Sequence, residues 1–179
     1  MRKLNMFLVI GMLVTFLAHA IAGSLQLAGA QVNTLTGFGW VSVGLICAHI
    51  VVTTILSIDT LKSIKASGAS YFKDNKLFWV RRISGFTIVI PLLMHLLIFK
   101  SSNADAFRLT VFTRGRMISQ ILLVVCIAVH ALTNIKPLLI SLGIKSYKES
   151  FVDALLILSS CLLLFAVAFV IYYLRWMRN

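Results

Sequence analysis

The chain has 179 residues, of which 60% are hydrophobic and only 12% are charged, and its mean hydropathy is +0.98. Soluble domains carry about a quarter charged residues, so this composition excludes an ordinary soluble protein and predicts an all-α integral membrane protein. A net charge of +12 would suggest a nucleic-acid partner in a soluble chain. Here the basic residues crowd the ends of apolar stretches, where they meet membrane lipid, so we expect no nucleic acid.

Five apolar stretches are each long enough to cross a bilayer, which takes about 20 residues of helix. They are Leu4–Leu27, Phe38–Ile58, Leu77–Phe99, Met117–Ile135 and Phe151–Leu174. We therefore predict a single transmembrane domain over residues 1–179, built as a bundle of five helices. Pro91 is predicted to bend the third helix, because a proline inside a helix removes a backbone hydrogen bond.

Lys and Arg predict the orientation of the chain in the membrane. With the amino terminus inside, eleven of the 17 basic residues lie on the inner side and six on the outer side. Since cytoplasmic loops carry the excess of Lys and Arg, we expect a cytoplasmic amino terminus and an external carboxyl terminus. A competing interpretation makes the first span a signal peptide cleaved near Ala18-His19-Ala20, but its apolar run continues to Leu27.

One histidine lies inside each of the first four spans: His19, His49, His95 and His130. Ionisable side chains are costly in hydrocarbon and usually mark a function there. A hydrogen bond between helices would explain any single one of them. The joint pattern instead favours axial ligation of haem iron, which would make the first four helices an antiparallel, haem-binding four-helix core.

Depth in the membrane sorts these histidines into two levels. By the helical rise, His19 lies roughly 24 Å from the inner boundary, and His95 lies roughly 8 Å from the outer one. His130 lies roughly 9 Å from the inner boundary, whereas His49 lies near mid-depth. We therefore predict an outer haem on His19 and His95, and an inner haem on His49 and His130.

Other chemistries find less support. The three cysteines form no CxxC or CxxCH motif, which argues against zinc, iron–sulfur and c-type haem sites. A proton relay would need carboxylates, and the five predicted spans contain no Glu.

The basic loop from Lys62 to Arg82 could be a solvated loop, a docking surface for an acidic partner or a source of propionate contacts. For haem propionates, Arg82 is the first candidate, and Arg81 and Lys136 are the others.

Five spans with one histidine in each of the first four resemble the dihaem cytochrome b anchors of fumarate reductases and succinate dehydrogenases. Arg82-Ile83-Ser84-Gly85, followed ten residues later by His95, is similar to the Arg-x-Ser/Thr-Gly…His helix of that family. The segment from His130 to Lys136, His-Ala-Leu-Thr-Asn-Ile-Lys, is similar to its His-x-x-x-Gly-Ile-Arg ending.

The resemblance implies two b haems with iron ligands at His19, His49, His95 and His130. It also implies electron exchange with a menaquinone-type quinone, in a bacterial cytoplasmic membrane. A flavoprotein subunit and an iron–sulfur subunit would dock on the cytoplasmic face, and the complex could form a dimer. The chain itself would be an electron-transfer subunit. Polar candidates for quinone contacts on the outer side are Gln26, Gln31, Asn33 and Ser42.

Two positions depart from the family pattern. Gly37–Trp40 holds no glutamate of the kind that dihaem fumarate reductases can use for quinol oxidation, and Ala128 replaces a glutamate two residues before His130. Two other functions therefore stay open. One is a quinol-linked haem anchor for another flavoprotein reductase. The other is a haem-free membrane transporter or assembly protein whose histidines form hydrogen bonds.

Overall fold

The computed structural model describes residues 1–30, 37–68, 76–99, 112–144 and 147–178. These ranges hold six α-helices and no strand: α1 Arg2–Leu27, α2 Gly37–Ser67, α3 Lys76–Thr87, α4 Val89–Phe99, α5 Arg114–Ser141 and α6 Tyr147–Arg178. With α3 and α4 taken together, five helical segments are long and apolar enough to cross a membrane. For the described part of the chain, the predicted all-α fold is confirmed, with five helical segments long and apolar enough to cross a membrane.

Two compact units make up the chain. The first comprises Met1–Trp79 and Lys136–Tyr147, and the second comprises Val80–Ile135 and Lys148–Asn179. Within the first unit, α1 and α2 pack against each other. Gly11 of α1 faces Leu45 of α2, and eight residues further along α1, His19 faces Gly39. The contacting residue on α2 therefore has a lower sequence number when the one on α1 has a higher number.

The second unit contains a contact between the α3–α4 segment and α5. Ser84 on α3 contacts His130 on α5, and His95 on α4 contacts Gln120 on α5. Ser84 precedes His95 in sequence, whereas its partner His130 follows Gln120, the partner of His95. Hydrogen bonds between side chains therefore set the register of this contact.

Many large apolar side chains are exposed, while several polar ones are buried beside apolar residues such as Phe112 and Leu162. Gln120 has 0% of its surface exposed, whereas Leu97 is 77% exposed and Leu164 is 66% exposed. Other buried polar residues are Thr15, Ser42, Ser84 and Ser119. Because lipid chains are as apolar as leucine, helices in a membrane gain little by hiding leucine and more by turning polar groups toward protein partners. The buried polar residues therefore indicate where helices pack against protein and not against lipid.

Helix α2 is longer than the span predicted for it. Its 31 residues correspond to about 46 Å of helix, compared with about 30 Å of hydrocarbon. The prediction ends at Ile58, and the helix continues to Ser67 through the exposed residues Asp59, Lys62 and Lys65. Hydropathy detects only the apolar part of a helix, so it gives too short a boundary wherever a helix continues into a polar segment.

Pro91 accompanies an interruption of the third span. The helix ends at Thr87 and resumes at Val89, so Ile88 separates α3 from α4. A proline at position 91 has no N–H to donate to the Thr87 carbonyl, and its ring crowds that carbonyl. The interruption is where the sequence predicts a bend.

Pro137 lies inside α5 without dividing it. Its missing N–H deprives the Thr133 carbonyl of the usual donor four residues later. The Arg81 guanidinium supplies a replacement, since its Nε donates to the Thr133 carbonyl oxygen over 2.9 Å. A side chain from α3 thus completes the backbone hydrogen bonding of α5.

Replacing Arg81 by Met should destabilise the protein by about 1–3 kcal/mol, because a carbonyl within a helix contact loses its donor. The loss should be much smaller in a Pro137→Ala background, where residue 137 again carries an N–H. Unfolding of the four variants by SDS titration in mixed micelles measures the coupling. Equal losses in the two backgrounds would show that Arg81 does not substitute for the missing donor.

Candidate functional site

The four histidines lie on four separate helices. His19 on α1 and His49 on α2 belong to the first unit, whereas His95 on α4 and His130 on α5 belong to the second. All four are half-buried. Each predicted pair takes one histidine from each unit, so the pairing of His19 with His95 and of His49 with His130 stays a prediction.

His95 is hydrogen-bonded to a buried amide. Its Nδ1 lies 2.7 Å from Oε1 of Gln120, whose side chain is fully buried. Nε2 of Gln120 donates in turn to Oγ of Ser119 over 3.0 Å. The Ser119 hydroxyl then donates to the Arg116 carbonyl oxygen over 2.7 Å. A chain of three hydrogen bonds therefore links His95 to the backbone of α5.

This chain of bonds determines the tautomer of His95. The single hydroxyl proton of Ser119 goes to a backbone carbonyl, so the Ser119 oxygen accepts from the Gln120 amide. The amide must then present its carbonyl oxygen to His95, and a carbonyl oxygen can only accept. Nδ1 of His95 is therefore the donor. In the neutral ring, the lone pair then lies on Nε2, which is able to ligate a metal.

His130 contacts a serine and a glycine on α3. Oγ of Ser84 lies 3.2 Å from Nδ1 of His130, and the Ser84 hydroxyl donates to the Arg81 carbonyl over 3.2 Å. The serine oxygen can accept from Nδ1–H in the tautomer that leaves the lone pair on Nε2. At the next residue, Gly85, a Cβ would lie 3.0 Å from Cε1 of His130.

A glycine also lies against the ring of His19. A Cβ at Gly39 on α2 would lie 3.1 Å from Nδ1 and 3.2 Å from Cε1 of that ring. Protein interiors are close-packed, so an added methyl group there would force the imidazole or the helix to shift. Glycine at positions 39 and 85 thus makes room for the imidazoles of His19 and His130.

The three candidate propionate contacts differ in exposure. Arg81 and Arg82 are half-buried on α3, whereas Lys136 is exposed on α5. Arg81 donates through Nε to the Thr133 carbonyl oxygen. Cationic side chains inside apolar spans are costly and usually pair with an anion or with backbone carbonyls. The assignment of Arg82 as the first candidate for a propionate stays a prediction.

Two of the four candidate quinone contacts, Gln31 and Asn33, lie outside the described residues. Gln26 is half-buried near the carboxyl end of α1. Ser42 is buried on α2, and its hydroxyl donates to the Phe38 carbonyl over 2.8 Å. With its proton engaged in this way, Ser42 can accept from a quinol hydroxyl but cannot donate to a quinone carbonyl.

Two residues at the site are missed by sequence reasoning: Gln120, the partner of His95, and Gly39, the neighbour of His19. Gln120 carries a usable signal, because an amide in an apolar span is costly unless it finds a partner. Gly39 carries no such signal, since the rotation of both helices decides which residues meet. Ser84 and Gly85 belong to the segment that resembles the family motif, but only the structure shows their contact with His130.

Within the described ranges, no three His, Cys, Asp or Glu side chains come together as a metal-binding group. Haem iron differs from a bare metal ion, because the porphyrin supplies four nitrogens and the protein adds at most two axial ligands. No family model, curated protein or solved structure matches the chain. Its function must therefore be inferred from the histidines and their partners.

Two glycines of α2 test how tightly the His19 ring is packed. A Gly39→Ala change should destabilise the protein, because the new methyl group would meet the imidazole. Gly44→Ala is the matched control, since nothing lies within 4 Å of a Cβ there. The control should be neutral or stabilising by up to about 1 kcal/mol, through the higher helix propensity of alanine. Thermal unfolding in detergent compares the two variants, and equal effects would contradict the close contact.

Proposed function

We propose that the chain is a dihaem b-type cytochrome that anchors a fumarate reductase or succinate dehydrogenase type of complex. In this role it carries electrons between a membrane quinone and an iron–sulfur subunit. The observation that carries the proposal is the His95–Gln120 hydrogen bond, which places the ring proton on Nδ1. That arrangement leaves Nε2 with its lone pair, as an axial haem ligand requires.

The residues at the site fit a pair of b haems. His19, His49, His95 and His130 would supply the axial nitrogens. When bound, haem supplies a reversible one-electron carrier, whose potential depends on its ligands and their hydrogen bonds. Gly39 and Gly85 let the imidazoles of His19 and His130 lie close against the backbone of a neighbouring helix.

The remaining contributions of the chain are orientation, charge and exclusion of water. Gln120 and Ser84 hold the Nδ1 atoms of His95 and His130, so that the opposite nitrogens have a defined direction. Arg82 would offset the charge of a propionate at the membrane boundary. Exposed leucines such as Leu97 and Leu164 suit a lipid environment, which keeps water away from the apolar spans.

The partners and the location of the chain are part of the proposal. The excess of basic residues on one side supports a cytoplasmic amino terminus in a bacterial cytoplasmic membrane. On that side, the flavoprotein and iron–sulfur subunits would dock, and a menaquinone-type quinone would exchange electrons within the membrane. These assignments rest on the resemblance of the histidine pattern to the dihaem anchor family.

A haem-free transporter or assembly protein is the second candidate function. It is favoured by the fact that His95 and His130 already bond to polar side chains of neighbouring helices. Histidines that serve only to join membrane helices make contacts of the same kind. The two candidates differ in whether the second ring nitrogen binds iron.

The purified protein should show a b-type α band in a dithionite-reduced minus oxidised spectrum, with two haems per chain by the pyridine haemochrome assay. Bis-histidine ligation at two sites is the physical reason for both results. Expression in a haem-sufficient host makes the measurement meaningful. Absence of the α band would favour the haem-free candidate, and a single haem per chain would contradict the dihaem proposal.

Substitutions of the ligands test the pairing. His19→Ala and His95→Ala should each remove the same haem, while His49→Ala and His130→Ala should each remove the other, since an axial ligand is lost in every case. Cys47→Ala is the control, because Cys47 is exposed on α2 and is not a proposed ligand. Redox titration of the surviving haem identifies which one is lost. Loss of different haems from His19→Ala and His95→Ala would overturn the pairing.

A further inference from the structure

A short polar contact joins the ring of His95 on α4 to the side chain of Gln120 on α5. We infer that Gln120 is a positioning residue that lowers the redox potential of the haem held by His95, an inference that rests on the proposed function. The bond spans 2.7 Å, compared with 3.2 Å between Ser84 and His130. Nothing in the resemblance to the anchor family assigns a role to Gln120.

The side chain of Gln120 has no freedom to turn away from His95. It is fully buried, and its amide nitrogen is tied to Ser119, whose hydroxyl is tied to the Arg116 carbonyl. Each group in this chain has its donor and acceptor in the complementary position, so turning the amide over would set two acceptors against each other. These contacts favour the orientation in which the Gln120 carbonyl oxygen accepts from Nδ1 of His95.

The ring of His95 is also held by an aromatic cluster of Phe99, Phe112, Phe169 and Tyr172. The Phe99 ring lies one turn along α4, with its centroid 4.9 Å from that of the His95 ring. Phe99 packs in turn at 6.2 Å from both Phe112 and Phe169, and Tyr172 packs at 5.2 Å from Phe112. The hydrogen bond and this cluster together fix the direction of Nε2.

An acceptor on Nδ1–H has a defined electronic effect. It draws the proton, so electron density shifts toward Nε2 and the ring becomes a more basic ligand. A more basic axial ligand stabilises the ferric form more than the ferrous form, which lowers the midpoint potential. Gln120 would therefore act on one haem alone, without touching iron or porphyrin.

Potentiometric titration of purified Gln120→Met and Gln120→Glu variants tests this role. Methionine keeps the length of the side chain and removes the carbonyl acceptor, so the potential of the haem assigned to His95 should rise while the other stays unchanged. Glutamate keeps an oxygen acceptor in either protonation state, so that potential should stay at the wild-type value or fall. Ser84→Ala removes the contact with His130 and leaves the Gln120 side chain unchanged, so it is the matched control and should leave the His95 haem unshifted.

The outcomes separate this inference from the proposed function. Loss of the His95 haem from Gln120→Met, with retention in Gln120→Glu, would also support a positioning role. Unchanged potentials in Gln120→Met, equal shifts of both haems, or the same rise in both Gln120 variants would overturn it. Wild-type protein without haem would overturn the proposed function as well, and that result is visible before any variant is made.

Discussion

A polar group within hydrocarbon must find its partner inside the protein, because lipid offers neither donors nor acceptors. In the second unit this constraint produces a fully connected set of bonds from His95 through Gln120 and Ser119 to a backbone carbonyl. The Ser119 hydroxyl orients the Gln120 amide, and the carbonyl oxygen of that amide places the His95 proton on Nδ1. The orientation of a candidate haem ligand thus follows from hydrogen bonding that the membrane makes obligatory.

The same constraint explains why two prolines have different consequences. Near Pro91 the third span is interrupted at Ile88, whereas α5 continues through Pro137. At Pro137 the carbonyl that lacks a donor receives one from Arg81. Since Ser84 follows Arg81 by three residues on the same helix, the contact that completes α5 also brings Ser84 to His130. The contact between α3 and α5 therefore has two effects. It supplies a donor to the Thr133 carbonyl, and it places Ser84 beside His130.

Much of this fold was predictable from sequence, because apolar stretches of membrane length leave few alternatives to helices. The same apolar stretches also predicted which helix carries each histidine. The polar end of α2 to Ser67 was not predicted, because hydropathy does not report a helix outside hydrocarbon. The partners of His19 and His95, Gly39 and Gln120, were also missed. Their identity depends on the rotation of neighbouring helices, which side-chain packing decides.

We propose that the histidines of this chain ligate haem through Nε2 in pairs. Electron paramagnetic resonance spectroscopy of the oxidised, purified protein tests it most directly, because the spectrum reports the axial ligands of ferric haem. Two low-spin signals of the bis-imidazole type are expected. A dominant high-spin signal from iron with one axial ligand, or a low-spin signal of the histidine–methionine type, would contradict the claim.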